Sequence, residues 1–274
     1  MEFTLDAYAA RSCPVKTHHA FHPGMVKPAE PVSVSRLPGA AEFSAAVIER
    51  LKSGPARVVD LRQTEGSEAD EQACLAAMGS GADVIIGGLL PRDWAGHRQG
   101  RPELLVRDRA GGYSPGTIKF QRVVDSRKDD QQFSYSSLDD LTTRLSGTGW
   151  RYRWHWRWAN AIQLAHLWRL LETLGRAAAG GPKGVVIGNE VSFGEGPLAV
   201  WAAPATPGVT SEAPRSVSAL NRYDDEFAQR VALAEAAAAA APDDPPLLAP
   251  VVNSECGYCP WWTVCRPQLD DDDL

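Results

Sequence analysis

Three cysteines crowd one end of this chain as Cys256-Gly-Tyr-Cys259-Pro-Trp-Trp-Thr-Val-Cys265, a C-x2-C-x5-C spacing. No other feature limits the fold as strongly. Thiolates packed this closely point to a bound metal, yet closed structural sites use four ligands, whether for zinc or for a cubane iron–sulfur cluster. The fourth must come from far away in sequence, and the remaining cysteines are Cys13 and Cys74. Cys13 lies in Arg-Ser-Cys13-Pro-Val-Lys, among polar neighbours, and is the better ligand. Cys74, in Gln-Ala-Cys74-Leu-Ala-Ala-Met, sits on the apolar face of an expected helix, where a free cysteine is usually core. A zinc ribbon normally carries two C-x2-C knuckles; one remote cysteine with a clustered triplet suits an iron–sulfur cluster better, with zinc the alternative. Closing so long a loop makes the site a structural staple rather than an electron carrier.

Five cysteines, an odd number gathered at one end, make a poor disulfide framework and fit a reducing, cytoplasmic setting. The net charge is −6, and Asp270 to Asp273 supply four of those negatives in a solvated acidic tail over 266–274. The body is therefore close to neutral, which neither demands nor forbids a nucleic-acid partner. The first residues form no signal peptide, and no run approaches the ~20 apolar residues of a membrane span.

Hydrophobic periodicity predicts helices over 4–19 (with Pro14 as a break or kink), 41–52, 66–79, 159–175 and 216–241. Strands are expected at 57–61, 84–90, 103–107, 116–124, 184–188 and 198–202, with a polar loop over 125–137. Three strands, a helix and two strands make an α/β fold with a mixed central sheet. The expected organisation is one domain over 1–274: a sheet core at 82–203, with helical parts at 1–79 and 216–265 joined at the cysteines. His18, His19 and His22 read as surface residues following a helix.

The early Cys13-Pro14, the closing C-x2-C-x5-C and the α/β core between them resemble the iron–sulfur branch of the RecB-like PD-(D/E)XK nucleases. That branch includes the AddB nuclease domain and CRISPR-associated exonucleases. The chain is most similar to actinobacterial RecB-family nucleases, through Asp6-Ala-Tyr-Ala-Ala-Arg-Ser-Cys13-Pro-Val, Gly100-Arg-Pro-Glu103-Leu-Leu-Val, Gln163-Leu-Ala-His166, Arg222-Tyr-Asp-Asp-Glu-Phe and Cys256-Gly-Tyr-Cys259-Pro-Trp-Trp. The resemblance covers nearly the whole chain and implies a PD-(D/E)XK restriction-endonuclease-like core stapled by a 4Fe-4S cluster on Cys13, Cys256, Cys259 and Cys265. It also implies Mg²⁺- or Mn²⁺-dependent hydrolysis of DNA, as single strands or duplex ends, in repair or recombination, beside a helicase or a further nuclease domain.

The family's metal-binding Asp falls on Glu103, one methylene longer, and its D/E-x-K pair falls on Thr117-Ile118-Lys119. Period-two alternation puts Thr117 and Lys119 on one face. Lys119 matches, whereas Thr117 replaces an acid with a neutral hydroxyl, a weak ligand for a hard cation. The Q-x-x-x-Y helix reads Gln163 to Leu167, keeping Gln and losing Tyr, and the upstream acidic position falls on Glu71. Glu103 and Glu71 would thus hold Mg²⁺, with Lys119 as electrophilic helper and Gln163 beside them. The eroded motif leaves a second reading open, a catalytically degenerate nucleic-acid-binding or scaffold module that retains the fold. Relatives of this kind continue past the cysteines, so the chain is expected to be a short form or a fragment.

In Trp150-Arg-Tyr-Arg-Trp-His-Trp-Arg-Trp158 an aromatic occupies every even position. As a strand it would carry one aromatic and one basic face. Arg151, Arg153, Trp154, Trp156 and Arg157 would then stack on bases and track phosphates. The alternative is an amphipathic segment whose rings pack in the core beneath solvated arginines.

Overall fold

The computed structural model describes residues 2–28, 38–63, 67–126, 132–152, 158–189, 197–206 and 217–269. Among them are six α-helices: α1 (Pro14–Phe21), α2 (Ala40–Ser53), α3 (Ser67–Gly79), α4 (Trp158–Thr173), α5 (Ala219–Ala239) and α6 (Trp262–Cys265). The strands are β1 (Val58–Asp60), β2 (Val84–Ile86), β3 (Leu90–Asp93), β4 (Arg98–Gly100), β5 (Leu104–Arg107), β6 (Tyr113–Lys119), β7 (Val124–Ser126), β8 (Phe133–Ser137), β9 (Asp140–Gly147), β10 (Trp150–Tyr152), β11 (Gly184–Gly188) and β12 (Ala199–Ala202). The fold is thus α/β, and it is built on a mixed sheet of eight strands in the order β1-β2-β5-β6-β11-β12-β8-β9. β1 runs parallel to β2 and β6 parallel to β11, and the other neighbours are antiparallel. Two further pairs, β3 with β4 and β7 with β10, stand apart from it. No helix among the described residues is long and apolar enough to cross a membrane.

The side chains alternate as the pleat requires. Val84, Ile86, Leu104, Val106, Ile118, Val185 and Ile187 meet Val47, Ile48 and Leu51 of α2 on one face. Ile85, Leu105 and Tyr113 point to the other face, where Cys74, Ala77 and Met78 of α3 and Leu167, Leu170 and Leu171 of α4 cover them. Leu51 is 2 % exposed at the centre of the first cluster. Truncating such a residue to Ala typically costs ~2–5 kcal/mol. At two glycines the packing leaves no room for a side chain. A Cβ at Gly116 would come within 2.4 Å of Val185, and one at Gly100 within 2.7 Å of Leu167. The first lets β6 lie between β5 and β11, and the second seats α4 on the segment leading to β5.

Several expected elements differ. The helix read over 4–19 is instead an extended start, with Leu5 bridged to Arg98, then a single 3-10 turn at Ala9–Arg11 and α1 from Pro14. Proline lacks an N–H and presets φ, so it opens a helix readily at the first position but cannot sit inside one. The run expected as one strand over 84–90 divides into β2 and β3, and the run at 116–124 starts earlier, at Tyr113, and ends at Lys119. The polar loop at 125–137 contains parts of β7 and β8, and β8 pairs with β9. β9 is an edge strand, half-buried at most positions, where polar residues are tolerated on both faces. The sheet also takes in β1, the strand expected at 57–61, so its strands reach beyond the 82–203 core.

Candidate functional site

Strand register gathers one end of the sheet. Asp60 pairs with Ile86, Ile86 with Leu104, and Leu104 with Gly116, while Lys119 lies opposite Gly188. Glu103 therefore enters β5 beside the end of β6. Its Oε1 accepts from Thr117 Oγ1 (2.9 Å) and from Lys119 Nζ (2.7 Å), and its Oε2 accepts from the Ile118 backbone N–H (2.6 Å). Ile118 belongs to the α2 face, so Thr117 and Lys119 share the opposite one, as alternation requires. Thr117 is fully buried, while the Glu103 and Lys119 side chains are 38 % and 24 % exposed. The ion pair thus sits at a boundary that a solvent-borne ligand can reach.

Gln163 is half-buried on α4, one turn before His166 and Leu167, the two residues that abut Gly100. His166 is fully buried and its partners fix its tautomer. Nε2–H donates to the Gln99 carbonyl (2.8 Å), and Nδ1 accepts from Tyr223 Oη (2.8 Å), which in turn accepts from Arg98 Nε (3.2 Å). Burial holds the His166 imidazole down to about 4. This network joins α4 and α5 to the strand just upstream of Glu103.

Glu71 does not join the cluster. Its Oε1 lies 3.9 Å from Arg92 Nε on β3. The neighbouring acid on α3, Asp70, is the one directed at this end of the sheet: it is buried and pairs with Arg101, two residues before Glu103. Arg101 also donates to the Gly87 carbonyl (2.6 Å). Asp60 is taken up by Arg62, whose hydrogen bond holds the Asp60 carboxyl down to about 2. Of the residues expected to bind nucleic acid, Arg151 lies on β10 opposite Asp125. Arg153, Trp154, Trp156 and Arg157 lie outside the described residues.

At the chain ends, Cys13, Cys256, Cys259 and Cys265 line one cavity with Val15, Trp261, Trp262 and Leu269. Cys13 caps α1 and Cys265 ends α6, so two helix termini bring remote sequence together. Burial pushes the Cys265 thiol up to about 11, with Cys259, Cys13 and Cys256 adding to the effect. The backbone N–H of Asn253 donates to Cys256 Sγ (3.4 Å), and the Cys256 thiol faces Asn253 Oδ1 (3.9 Å). No three His, Cys, Asp or Glu side chains among the described residues close upon a single metal position. Cys74 lies elsewhere, wholly buried beneath α3, its thiol pushed up to about 12 by burial.

Sequence reasoning missed two features here. Lys16 Nζ bonds Glu255 Oε2 (2.5 Å) and Tyr8 Oη (2.7 Å), tying α1 to the C-terminal segment. Burial alone would lower the Lys16 ammonium, but these partners outweigh it and raise it. The second is the histidine group. His18, His19 and His22 are buried rather than on the surface, because α1 begins at Pro14 and turns them inward against the C-terminal segment. The i, i+4 spacing of His18 and His22 with Val15 was the available signal. No family model, no curated protein and no solved structure matches this chain.

Proposed function

We propose that this chain is a RecB-like PD-(D/E)XK nuclease that hydrolyses DNA phosphodiesters and carries a 4Fe-4S staple between its ends, with a role in DNA repair or recombination. The observation that carries this reading is the meeting of Glu103, Thr117 and Lys119 at one end of the sheet, within hydrogen-bond distance of one another. Glu103 would hold Mg²⁺ or Mn²⁺; such sites commonly use one or two carboxylates together with the substrate's phosphates. When bound, that ion supplies Lewis-acid polarisation of the phosphate and a more acidic water. Lys119, freed from Glu103 as a phosphate arrives, would donate to a non-bridging oxygen and stabilise the charge that develops there. Thr117 orients Glu103 through its hydroxyl and adds no charge. α4, which carries Gln163, packs on the same side of the sheet through Leu167, Leu170 and Leu171.

For the staple, four cysteine thiols lining one largely apolar cavity, with a backbone N–H on Cys256 Sγ, fit the donor set of a thiolate-bound cluster. Cys13, Cys256, Cys259 and Cys265 would be its ligands.

A second reading has its own observation. Among the described residues Glu103 is the single carboxylate in its cluster, and it already accepts from Lys119, Thr117 and the Ile118 N–H. A degenerate module that binds nucleic acid without cleaving it would look this way. Labelled single-stranded DNA incubated with Mg²⁺ or Mn²⁺ separates the two. Cleavage by the wild-type chain that falls roughly 100-fold in Lys119→Ala, about the effect of losing one transition-state donor, supports the nuclease. Binding without cleavage supports the degenerate module, and cleavage indifferent to Lys119→Ala refutes this site.

A further inference from the structure

The histidines of α1 make a connected path to the cysteine cavity, and the chemistry of its first donor fixes every later step. The path starts at the backbone of Leu247, whose N–H lies 3.2 Å from His18 Nε2. A backbone N–H can only donate, so His18 Nε2 is the acceptor and the proton of this ring sits on Nδ1. His18 Nδ1 lies 3.0 Å from His19 Nδ1. With the proton on His18, His19 Nδ1 must accept, and the His19 proton is forced to Nε2. His19 Nε2 lies 3.8 Å from Cys265 Sγ, within range of an N–H···S hydrogen bond. The ring of His19 is held edge-to-face by Trp261, with centroids 5.1 Å apart, and both histidines are buried. Turning either ring over would replace these nitrogens with C–H groups, and the opposite tautomer would set donor against donor.

We propose that His18 and His19 form a relay of fixed tautomers whose end is an N–H aimed at Cys265 Sγ, making His19 the positioning residue for that ligand when the four thiolates hold a metal. This rests on the cysteine-site reading given above, and it adds a donor outside the ligand set. Hydrogen bonds to ligating sulfur stabilise the thiolate and tune the reduction potential of a cluster. The geometry also divides the histidines by role. His22 Nδ1 accepts from the Gly24 N–H (3.1 Å), and its Nε2 has no hydrogen-bond partner among the described residues, so it stands outside the relay.

The relay can be tested with the full chain labelled with ¹⁵N-histidine. Spectra that correlate ring nitrogens with ring protons should show His18 as the Nδ1–H tautomer and His19 as the Nε2–H tautomer, in metal-free protein as well as with Zn²⁺ bound. The opposite tautomer at His19 would overturn the proposal, whatever any variant does. Chelator competition with Zn²⁺ then reads the consequence. His19→Leu should weaken Zn²⁺ binding roughly 10- to 100-fold, the usual effect of losing such a partner. His19→Gln, which restores an N–H, should recover most of that loss, and His22→Leu should change little. Equal weakening in His19→Gln and His19→Leu would reduce His19 to a packing role and refute the inference. If wild-type protein takes up no metal through its cysteines, the cysteine-site reading fails, while the tautomers still decide whether the relay exists.

Discussion

The two polar centres of this protein differ in what they leave unsatisfied. At the sheet end, Glu103 accepts hydrogen bonds on both oxygens, and Lys119 supplies the opposite charge. Three donors already occupy this carboxylate, so a cation or a phosphate that binds there competes with internal bonds. At the chain ends, four thiols share a cavity walled by Val15, Trp261, Trp262 and Leu269, and each thiol raises the cost of ionising Cys265. Among the described lining residues Lys16 is the positive one, and Glu255 engages it, while Arg230 acts on Cys13 from behind. Groups brought together without their counter-charge mark a ligand site more clearly than groups already paired. The contrast makes the cysteine end the more telling of the two centres.

Among the measurements that would break or sharpen this contrast, the largest effect belongs to the cysteines. Cys13→Ser should abolish metal retention and sharply reduce soluble yield, since metal binding at structural sites of this type is worth ~10 kcal/mol or more of folding free energy. Cys74→Ser should keep the metal and lose only about 1–3 kcal/mol for a buried hydroxyl. Anaerobically purified wild-type protein should be brown, with absorption near ~400 nm. A colourless protein with bound zinc would retain the four-ligand site and eliminate the cluster.

Next in size is Glu103→Gln, which keeps the shape and removes the charge. It should reduce metal-dependent cleavage at least ~100-fold, while hydrogen–deuterium exchange at β5 and β6 stays close to wild type. Unfolding of both strands would instead mean that the pair serves only the fold.

A smaller effect concerns pH. Burial lowers His166 from 6.5 to about 4, so between those values the unfolded chain binds more protons than the folded one. The His166 contribution to stability should therefore be fully present above about pH 6.5 and fall by ~2–3 kcal/mol as the pH drops to about 4, with His19 and His18, also lowered by burial, adding to the loss. Denaturant titrations of His166→Gln should show a shallower slope over that window. An unchanged slope would assign the acid sensitivity to other groups. The smallest effect is expected for Lys16→Met, which removes the tie to Glu255 at the edge of the cysteine cavity. A loss of about 1 kcal/mol without loss of metal is expected, as for a partly buried ion pair.

Much of this was legible in advance, for reasons that differ by region. α2, α3, α4 and α5 carry local apolar periodicity, and each lies within about three residues of its expected bounds. The shared face of Thr117 and Lys119 followed from the pleat alone. β8 and β9 were not legible, because an edge strand with polar residues on both faces has no pattern to announce it. The extended start at residues 2–8 was missed because Pro14 was read as interrupting a helix rather than opening one.

The sequence by itself determined that three thiols would stand together, since a C-x2-C-x5-C spacing cannot spread them far, and that Cys13 was the better partner than Cys74. It determined equally that Thr117 stands where an acid was expected beside Lys119. Only the tertiary structure decided which neighbours those residues met. It turned Asp70 rather than Glu71 toward the sheet end, buried His18 and His19 and aligned them with Cys265, and set Glu255 on Lys16 across the whole length of the chain. The division has a physical cause. Spacing and periodicity act over a few bonds and are fixed by backbone geometry, whereas a side chain's partner is chosen by packing between segments that are remote in sequence.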